Sequence, residues 1–509
     1  MKRIFSLLLV MLMAFSFVAC NLVSDSDTNT ATNTNTATNT NTSTNTSTDT
    51  ETSTNTETDT ATSTKKPYVP DYTKDMAKYN IITNESKTTL KYLNETLTYP
   101  TVTKYLNGKQ AALSMTFDDA NNADAARIIN EVFAQYGDMR GTIMANVGTM
   151  LANDGPEPWK EYFEAGYLDL GCHGYDHAEP TTLPQEDYDH EIGEAFEYLR
   201  ANFPDQKVLT YATPNAHING PYEEYLKDWC IANRLEAGGE IAEIGKDFNM
   251  YRIYSTMIRE STNLRSVYNA VETGVDQERW IVHLFHDIIE DNANSSYNPT
   301  KRSTFESYCR YLQNNFGDEV WFGSFEDVAL YANQYGQVTI DYTGISRDSL
   351  TFETHCSLPE EYRVPIGIKV QLPRFVDSAI ALINGVPQEL ELDKSIKNMV
   401  YTVVKDVPSD GATIEILFGG NTTFRNSCVH TYAYDSVIEP SALYPIGYTI
   451  YKCSKCDCIY KSMYTLYTSE DENKNVSTDN NEDNQEQDQN QGALQEQTES
   501  ESMEQEAVE

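Results

Sequence analysis

The strongest constraint on the fold is an alternation of short apolar runs and amphipathic segments that begins near residue 110. The run AALSMTF has the length of a buried strand, and NADAARIINEVFAQYG then shows helical spacing of its apolar residues. The apolar runs RGTIMANV, LDLGCH and KVLTYATP follow, separated by predicted helices over EPWKEYFEAGY and residues 185–202. Strands and helices that take turns predict a parallel sheet with helices outside it, either open or closed into a barrel.

Polar residues stand where these predicted strands end. Asp118 and Asp119 follow the first run, His173 and His177 follow the third, and Pro214 ends the fourth. Chemistry in parallel α/β folds collects at the carboxyl ends of strands. Two imidazoles four residues apart can reach one ion, and a carboxylate from another strand completes a three-ligand site that leaves a position for water or substrate. The alternative is a pair of surface histidines that follow a strand.

Four motifs, MTFDD, HGYDH, YATPN and WIVHLFHDI, occur in the order found in the polysaccharide deacetylase family (NodB-homology, carbohydrate esterase family 4). The segment from about residue 75 to 335 resembles that family. The resemblance implies an α/β fold, a distorted (β/α) barrel, and metal-assisted removal of N- or O-acetyl groups from sugars. It also implies roles for individual residues: Asp119, His173 and His177 as metal ligands, Asp118 as general base and His286 as general acid.

The chain departs from the family's pattern at the third motif. The family usually has Arg-x-Pro-Tyr where this chain has Ala212-Thr213-Pro214-Asn215. The Arg orients the catalytic Asp and the backbone N–H of the Tyr serves the oxyanion, so a backbone donor survives at Asn215 while the guanidinium is missing. Arg234 and Arg259 are candidates to replace it, although a surface salt bridge is the simpler interpretation of each. His283, on the last predicted strand, should point away from the site and is interpreted as structural.

Beyond residue 337 the pattern changes to short runs in which apolar and polar residues alternate. Six such runs lie between residues 338 and 420, and turn residues separate them. Alternation of this kind predicts strands with one buried face, and six short strands favour a β-sandwich-like domain. Glycan binding and a structural or positioning role are both consistent with such a domain.

A cysteine- and histidine-rich segment follows over residues 421–468. Cys428 and His430 precede Cys453 and Cys456, which have C-x-x-C spacing, and Cys458 lies nearby. The segment resembles small zinc-ribbon-like modules of bacterial surface proteins, and the resemblance implies a structural zinc on Cys428, His430, Cys453 and Cys456. A disulfide is the alternative, because an extracytoplasmic location permits one.

The two ends of the chain carry targeting and low-complexity signals. Two basic residues precede an apolar run that ends in FVAC, which resembles a lipoprotein signal peptide over residues 1–20 with Cys20 as the lipidated residue. An ordinary secretory signal is the alternative. A Thr/Asn/Ser repeat over 21–66 and an acidic tail over 469–509 have almost nothing to bury, so we expect both to be disordered. These signals predict a bacterial lipoprotein anchored to a membrane outside the cytoplasm, at the cell surface or in the periplasm.

The predicted order of folded parts is a deacetylase domain over 67–337, a β-sandwich-like domain over 338–420 and the cysteine module over 421–468. The formal net charge of −40 argues against nucleic acid as a partner, because phosphate binding needs a basic surface. Two functions stay open. The first is a metal-dependent deacetylase of an acetylated polysaccharide or oligosaccharide, with Zn²⁺ or Co²⁺ as the ion. The second is a non-catalytic glycan-binding or adhesive surface lipoprotein on a degenerate deacetylase barrel.

Overall fold

The computed structural model describes residues 89–92, 95–137, 139–236, 242–244, 248–293, 297–346, 348–421, 430–456 and 458–468. All of these residues belong to Pro67–Glu509, the larger of two units of the chain. The predicted signal peptide, linker and acidic tail lie outside the described residues, and so do Cys20 and Cys428. No helix within the described ranges is long and apolar enough to cross a membrane.

Three short strands come first: β1 (Thr89–Tyr92), β2 (Glu95–Thr98) and β3 (Thr101–Val102). Seven parallel strands then form a barrel: β4 (Ala111–Asp119), β5 (Gly141–Ala145), β6 (Leu168–Cys172), β7 (Thr210–Ala212), β8 (Ala232–Glu236), β9 (Ile253–Met257) and β10 (Trp280–Phe285). Each barrel strand pairs with the next, and β10 pairs with β4 from Trp280–Ala112 to Phe285–Phe117, so the sheet closes on itself. The predicted (β/α) barrel is therefore confirmed.

Short strands and helices complete this part of the chain. The strands β11 (Ile288–Ile289) and β12 (Thr300–Lys301) pair with each other, and β13 (Val320–Trp321) pairs with β4. The described residues contain eight α-helices: α1 (Ala123–Phe133), α2 (Val147–Ala152), α3 (Glu157–Glu164), α4 (Ala195–Asn202), α5 (Gly220–Leu226), α6 (Leu264–Asp276), α7 (Arg302–Phe316) and α8 (Phe325–Gln334). Short polar side chains cap the first turns of α1, α2, α5, α6 and α8, as helix N-termini require.

The helix predicted over residues 185–202 is not continuous. It begins as a 3₁₀ turn at Gln185–Asp187, continues as a π-helical turn at Asp189–Glu194, and becomes α-helical only in α4. The side chain of Glu191, within the π-helical turn, is 1% exposed and faces the loop that follows β6. A π-helical turn is wider than an α-helical turn, and such turns are frequent at functional sites.

Aromatic packing between the barrel and its helices orients the polar residues of β4 and β10. Phe117 and Phe285 stack with ring centroids 5.4 Å apart, and Phe305 of α7 meets both rings edge-on. Successive strand residues point to opposite faces. Phe117 faces the helices, and its neighbour Asp118 therefore faces the inside of the barrel.

His283 lies on the helical side of β10. Its Nδ1 is 2.5 Å from the hydroxyl of Tyr308 on α7, and burial lowers the pKa of His283 to about 3. The imidazole is therefore neutral at any pH at which the protein works, and it contacts a helix rather than the inside of the barrel. This contact agrees with the interpretation of His283 as structural.

A second group of strands packs as two facing sheets, which confirms further β structure after the barrel. The strands are β14 (Val338–Ile345), β15 (Ser349–Cys356), β16 (Ile366–Leu372), β17 (Ser378–Ile383), β18 (Val386–Glu389), β19 (Val400–Val407) and β20 (Thr413–Gly419). One sheet has the order β14-β15-β20-β17-β18, and the other has the order β19-β16-β3. The fourth of the six alternating runs, AIALINGV, forms part of a hairpin rather than a single strand, because Asn384 and Gly385 both take left-handed backbone angles at its turn.

Residue 67, the predicted start of the barrel domain, lies outside the described residues, but the described segment before the barrel packs on the strands β14 to β20, which we call the second domain. Strand β3 pairs with β16 of the second domain, and Tyr92 and Leu97 are buried in that domain's core. The barrel sheet itself begins only at Ala111. The segment before the barrel therefore supplies the third strand of the sheet that contains β16 and β19.

Three antiparallel strands follow the second domain. They are β21 (Tyr432–Ile438), β22 (Ile446–Cys453) and β23 (Ile459–Leu466), with β22 in the centre. We call them the C-terminal sheet. Ser462 on β23 donates a hydrogen bond to Asp377, 2.6 Å away, and Lys461 pairs with Asp348 at 3.0 Å, so this sheet is attached to the second domain.

Candidate active site

The carboxyl ends of the barrel strands surround an open cleft of about 320 Å³. Asp118 and Asp119 end β4, His173 directly follows β6, and His286 directly follows β10. The cleft brings together all the residues predicted for metal binding, acid–base catalysis and oxyanion binding: Asp118, Asp119, His173, His177, Asn215 and His286. Sequence reasoning therefore placed these residues at one site, although strand pairing and barrel closure were needed to join His286 to the rest.

Asp119, His173 and His177 form a compact set of possible metal ligands. One ligand atom from each lies within 4.8 Å of the other two. The Nε2 atoms of His173 and His177 are 3.6 Å and 3.8 Å from Asp119 Oδ1, and the two imidazole rings meet edge-on with centroids 4.8 Å apart. Tetrahedral coordination by two imidazoles and a carboxylate places ligand atoms at about these separations.

The surroundings of this set also fit a divalent ion. His173 Nδ1 is 2.7 Å from the carbonyl oxygen of Ala212, so this nitrogen carries the proton and Nε2 is the free lone pair. Burial lowers the pKa of His173 despite the nearby carboxylates, which keeps the imidazole in the neutral form that ligates metals. Asn121 donates a hydrogen bond to Asp119 Oδ2 at 3.2 Å and leaves the other oxygen toward the histidines.

Several site residues adopt a left-handed backbone conformation. The φ angles are +78° at Asp119, +56° at Ala120, +57° at His177 and +56° at Asn215. Residues other than glycine rarely adopt such angles, and each costs of order 1–3 kcal/mol unless surrounding contacts fix it. The concentration of four such residues around one cleft marks this end of the barrel as the functional end.

The guanidinium missing from the third motif is replaced by Arg234. This side chain is 1% exposed, and its Nη2 lies 2.6 Å and 2.5 Å from the two carboxylate oxygens of Asp118. Arg234 is the direct strand partner of Ala212, the residue that stands where the family has its Arg. The interpretation of Arg234 as a surface salt bridge is therefore wrong, because strand pairing brings it to the same level of the barrel from the next strand.

The second candidate, Arg259, lies elsewhere. Its guanidinium donates a hydrogen bond to the side chain of Asn298 among exposed residues and has no contact with Asp118.

The ion pair between Asp118 and Arg234 determines the charge of Asp118. Burial alone would raise the pKa of Asp118, but the positive charge and hydrogen bonds of Arg234 outweigh burial and hold that pKa below its ordinary value.

His286 stands at the edge of the cleft with an unusual environment. It is 8% exposed, and its Nδ1 has no hydrogen-bond partner among the residues that the structure describes. The ring of Tyr297, which is 67% exposed, meets the imidazole edge-on at 4.9 Å. His286 therefore belongs to the cleft, but no protein group fixes its tautomer.

The comparison with family models now identifies the barrel. Residues 105–232, which include Asp118, Asp119, His173 and His177, match the family described as polysaccharide deacetylase. The predicted polysaccharide deacetylase domain is confirmed over these residues. The matched segment ends before His286 and covers neither the second domain nor the C-terminal sheet. Among curated proteins, none matches the chain.

Solved structures similar to this chain include a Mycobacterium smegmatis protein assigned to the polysaccharide deacetylases. It has 12% identity and a TM-score of 0.35, and the match covers 46% of this chain and 93% of that one. The Xyl-CE4 domain of a multidomain xylanase from the hindgut metagenome of Trinervitermes trinervoides has 16% identity, coverage of 43% and 89%, and a TM-score of 0.31. A CE4 family pseudoenzyme from Bacillus anthracis has 15% identity, coverage of 44% and 66%, and a TM-score of 0.29. At these TM-scores the likeness bears on neither activity nor substrate.

Glu191 is a residue of the deacetylase domain that sequence reasoning missed. Its two carboxylate oxygens accept hydrogen bonds from the backbone N–H groups of Asp176 at 2.9 Å and Ala178 at 3.0 Å, on either side of His177. Its own carbonyl accepts a third bond from the N–H of Tyr175. A Cβ atom at Gly174 would lie 2.1 Å from Glu191 Oε1. Glu191 thus holds the loop that presents His177, and the only sequence signal was a glutamate within a predicted helix.

Of the four ligands predicted for the second metal site, the structure brings together His430, Cys453 and Cys456. Cys456 Sγ lies 3.3 Å from His430 Nδ1, and Cys453 contacts both residues. Cys428, the fourth predicted ligand, lies outside the described residues, while Cys458 joins His430 and Cys456 in a group whose ligand atoms lie within 4.8 Å of one another. Burial would raise the pKa of Cys453, but backbone N–H groups and the neighbouring imidazole outweigh it and give a pKa of about 6.

The contacts of Glu191 predict that Glu191→Gln weakens metal binding in the deacetylase barrel. A glutamine turns one acceptor into an NH₂ group that faces a backbone N–H, so one of the two loop contacts becomes repulsive. We expect Co²⁺ affinity to fall by about 10- to 100-fold, the range typical of residues that orient metal ligands. Equilibrium dialysis in a Cys456→Ser background, where the C-terminal cysteines compete less for the ion, measures the change.

Glu194→Gln is the matched control for Glu191→Gln. Glu194 lies on the same π-helical turn, but its side chain is 55% exposed and contacts His190 rather than the loop. We expect this control to bind Co²⁺ as the parent does. Equal affinities for the two variants would show that Glu191 does not position His177.

Proposed function

We propose that the barrel is a metal-dependent deacetylase that removes acetyl groups from an acetylated polysaccharide or oligosaccharide at or outside the cell envelope. The observation that carries the proposal is the convergence of Asp119, His173 and His177 beside a buried Asp118–Arg234 pair at the open end of a deacetylase-family barrel. This arrangement combines three possible ligands, a fixed carboxylate and an open cleft, which are the parts that metal-assisted acyl hydrolysis requires.

The three ligand residues would hold a divalent ion, zinc or cobalt by the nature of the donors. When bound, such an ion polarises the acetyl carbonyl and lowers the pKa of water. A set of two neutral histidines and one carboxylate is typical of catalytic rather than structural sites, because it leaves a position for water or substrate. The partial exposure of His177, 37% of its side chain, places the ligand set at the edge of the cleft that substrate enters.

Asp118 is suited to the role of general base. It stays ionised at neutral pH because Arg234 holds its pKa below the ordinary value, and the same arginine fixes the orientation of the carboxylate. One of its oxygens is 3.7 Å from His173 Nε2, so Asp118 stands beside the ligand set without belonging to it. A carboxylate in this position can accept the proton of the attacking water.

His286 and Asn215 would serve the acyl and leaving groups. His286 can donate a proton to the departing amine or alcohol, because its imidazole lines the cleft beside Asp118. The backbone N–H of Asn215 is the donor that remains for the oxyanion, and the left-handed conformation of this residue fixes the direction of that group. Both residues line the same cleft as Asp118.

The alternative of a non-catalytic glycan-binding or adhesive lipoprotein rested on the missing guanidinium and on the accessory modules after the barrel. The contact of Arg234 with both oxygens of Asp118 supports the proposal that Arg234 takes the place of this guanidinium from the neighbouring strand. The reason to regard the barrel as degenerate therefore no longer applies. Among the two functions that the sequence left open, the catalytic one has the stronger support.

The assigned roles predict different outcomes for base and ligand variants. Asp118→Asn should abolish acetate release while metal content stays at the parent level, because this carboxylate accepts a proton and does not ligate. His177→Ala should lose metal and activity together, and His286→Ala should keep metal and lose about 10²- to 10⁴-fold in rate, as expected for a lost general acid. Acetate release from acetylated chito-oligosaccharide and acetylxylan, read beside elemental analysis, measures all three.

Two results would contradict these roles. An Asp118→Asn variant with parent activity would remove Asp118 as the base, and a His177→Ala variant with full metal occupancy would remove His177 as a ligand. Circular dichroism accompanies each measurement, because Asp118→Asn leaves the buried Arg234 without its counter-charge and can lower stability.

Substitution of Arg234 and of Arg259 gives a second test of the site. Arg234→Met should lower the rate by about 10²-fold with metal retained, because the base loses its orientation while the ligand set is intact. Arg259→Met should change the rate little, since that guanidinium contacts Asn298 and does not line the cleft. Equal activity of the two variants would show that Arg234 has only a structural role.

We further propose that the protein is a lipoprotein anchored to the outside of a bacterial membrane through Cys20. The FVAC motif and the Thr/Asn/Ser repeat that follows it support this localisation. Cys20→Ser should abolish labelling by a fatty-acid probe and release the protein from the membrane fraction. If the wild-type protein carries no lipid label and Cys20→Ser still sediments with membranes, the anchor is something else.

A further inference from the structure

We propose that the C-terminal sheet is a separate structural metal site in which His430, Cys453, Cys456 and Cys458 bind one ion, zinc by the nature of the donors. The proposal differs from the sequence-based one in its fourth ligand, because Cys458 completes a set of four without Cys428. It concerns a part of the chain that the polysaccharide deacetylase match does not reach. It is independent of the activity proposed for the barrel.

The distances among these side chains suit one tetrahedral ion. The ligand atoms of His430, Cys456 and Cys458 all lie within 4.8 Å of one another, and Cys456 Sγ is 3.3 Å from His430 Nδ1. Bonds of about 2.0–2.3 Å to a tetrahedral zinc place neighbouring sulfur and nitrogen ligands roughly 3.5–4 Å apart. Small shifts of side chains would therefore be enough to bring these three groups onto one ion.

Cys453 is held in the way that a ligating thiolate requires. Its sulfur accepts hydrogen bonds from the backbone N–H groups of Thr431 and Lys455, each at 3.4 Å, and it contacts His430 and Cys456. Backbone N–H groups directed at sulfur stabilise negative charge, and a ligating cysteine must be a thiolate. One of these donors follows His430 and the other lies between Cys453 and Cys456, so the two ligand segments support each other.

The four residues come from three separate points of the sheet. His430 precedes β21, Cys453 ends β22, and Cys456 and Cys458 lie in the turn before β23. Backbone hydrogen bonds already draw these points together, from Cys453 N to Cys458 O at 2.9 Å and from Ser454 N to Thr431 O at 2.8 Å. One ion would therefore join the same end of all three strands.

The sheet has a physical need for such a link. Among its described residues only two apolar side chains, Tyr448 and Cys453, are buried, and one of these is a proposed ligand. A sheet of this size cannot form its own hydrophobic core, and small modules of this kind usually depend on metals or disulfides. The contacts with the second domain involve Lys461 and Ser462 on β23, so the cysteine end needs a separate link.

A metal explains the cluster better than a disulfide does. One group in the cluster, His430, is an imidazole rather than a thiol. An imidazole adds nothing to a sulfur–sulfur bond but is a common zinc ligand beside thiolates. Three sulfurs and one ring nitrogen on one ion would form a closed, structural donor set with no position left for substrate.

Cobalt substitution of the full-length protein tests the site. Thiolate ligands give Co²⁺ an intense near-ultraviolet charge-transfer band, whereas the aspartate and histidines of the barrel give none, so the band reports on the cysteines alone. With three thiolates, Cys458→Ser should lower the band by about one third. It should also weaken Co²⁺ binding by more than the loss of an outer-sphere partner does, which is roughly 10- to 100-fold. Cys428→Ser should leave both the band and the affinity unchanged.

Two further variants distinguish the loss of a metal ligand from misfolding. Cys356→Ser removes a buried thiol of the second domain, far from the cluster in sequence, and should leave the band unchanged. In a His177→Ala background the protein should retain about one equivalent of zinc, and Cys458→Ser should then weaken the binding of that equivalent. If instead Cys428→Ser lowers the band and Cys458→Ser does not, or if wild type shows no band and its C-terminal cysteines are oxidised in pairs, the proposal is wrong.

Discussion

The ion pair between Asp118 and Arg234 is the interaction on which the proposed chemistry depends. Both side chains are nearly inaccessible to solvent, so each charge is tolerable only because the other is present. The pair lies between the first strand of the barrel and the fifth, and it forms only when the sheet is closed. Removal of one partner typically costs 3–5 kcal/mol because an uncompensated charge stays buried. A feature that costs so much to disturb and contributes little net stability is best understood as a means of fixing a carboxylate.

Two features of the barrel complete the site: the closure of the sheet and the sharp turns in the loops that follow its strands. Closure places His286, which follows the seventh strand, next to the carboxylates that end the first. The loops after β4, β6 and β7 then turn sharply through left-handed residues, which bring their polar groups back over the barrel end. Hydrogen bonds hold these groups in place: Glu191 and the Ala212 carbonyl accept them, and Asn121 donates one to Asp119. The residues proposed for metal binding and catalysis are thus fixed by neighbours to which no chemical step is assigned.

Much of the fold could be predicted from the sequence because it depends on local patterns. The apolar runs at 111–117 and 168–173 are recognisable as strands, and the polar residues that follow them are found at the cleft. Arg234 was one of two candidates for the missing guanidinium, and only the pairing of its strand with β7 shows that it, rather than Arg259, stands beside Ala212. Glu191 was missed because a π-helical turn in a predicted helix leaves no pattern of its own. Motif order therefore reveals ligands, whereas the residues that hold them depend on pairing and packing.

Strand β3 has a mechanical consequence. The chain enters its folded part by adding an edge strand to the second domain, with Lys369 and Ile368 paired to Thr101 and Val102, and only then builds the barrel. Among the described residues, tension applied from the N-terminal side would reach the β1–β2 pair and the packing of Tyr92 before it reached β3, and β3 before the strands that carry the cleft. Such a force would load the second domain before it could distort the end of the barrel.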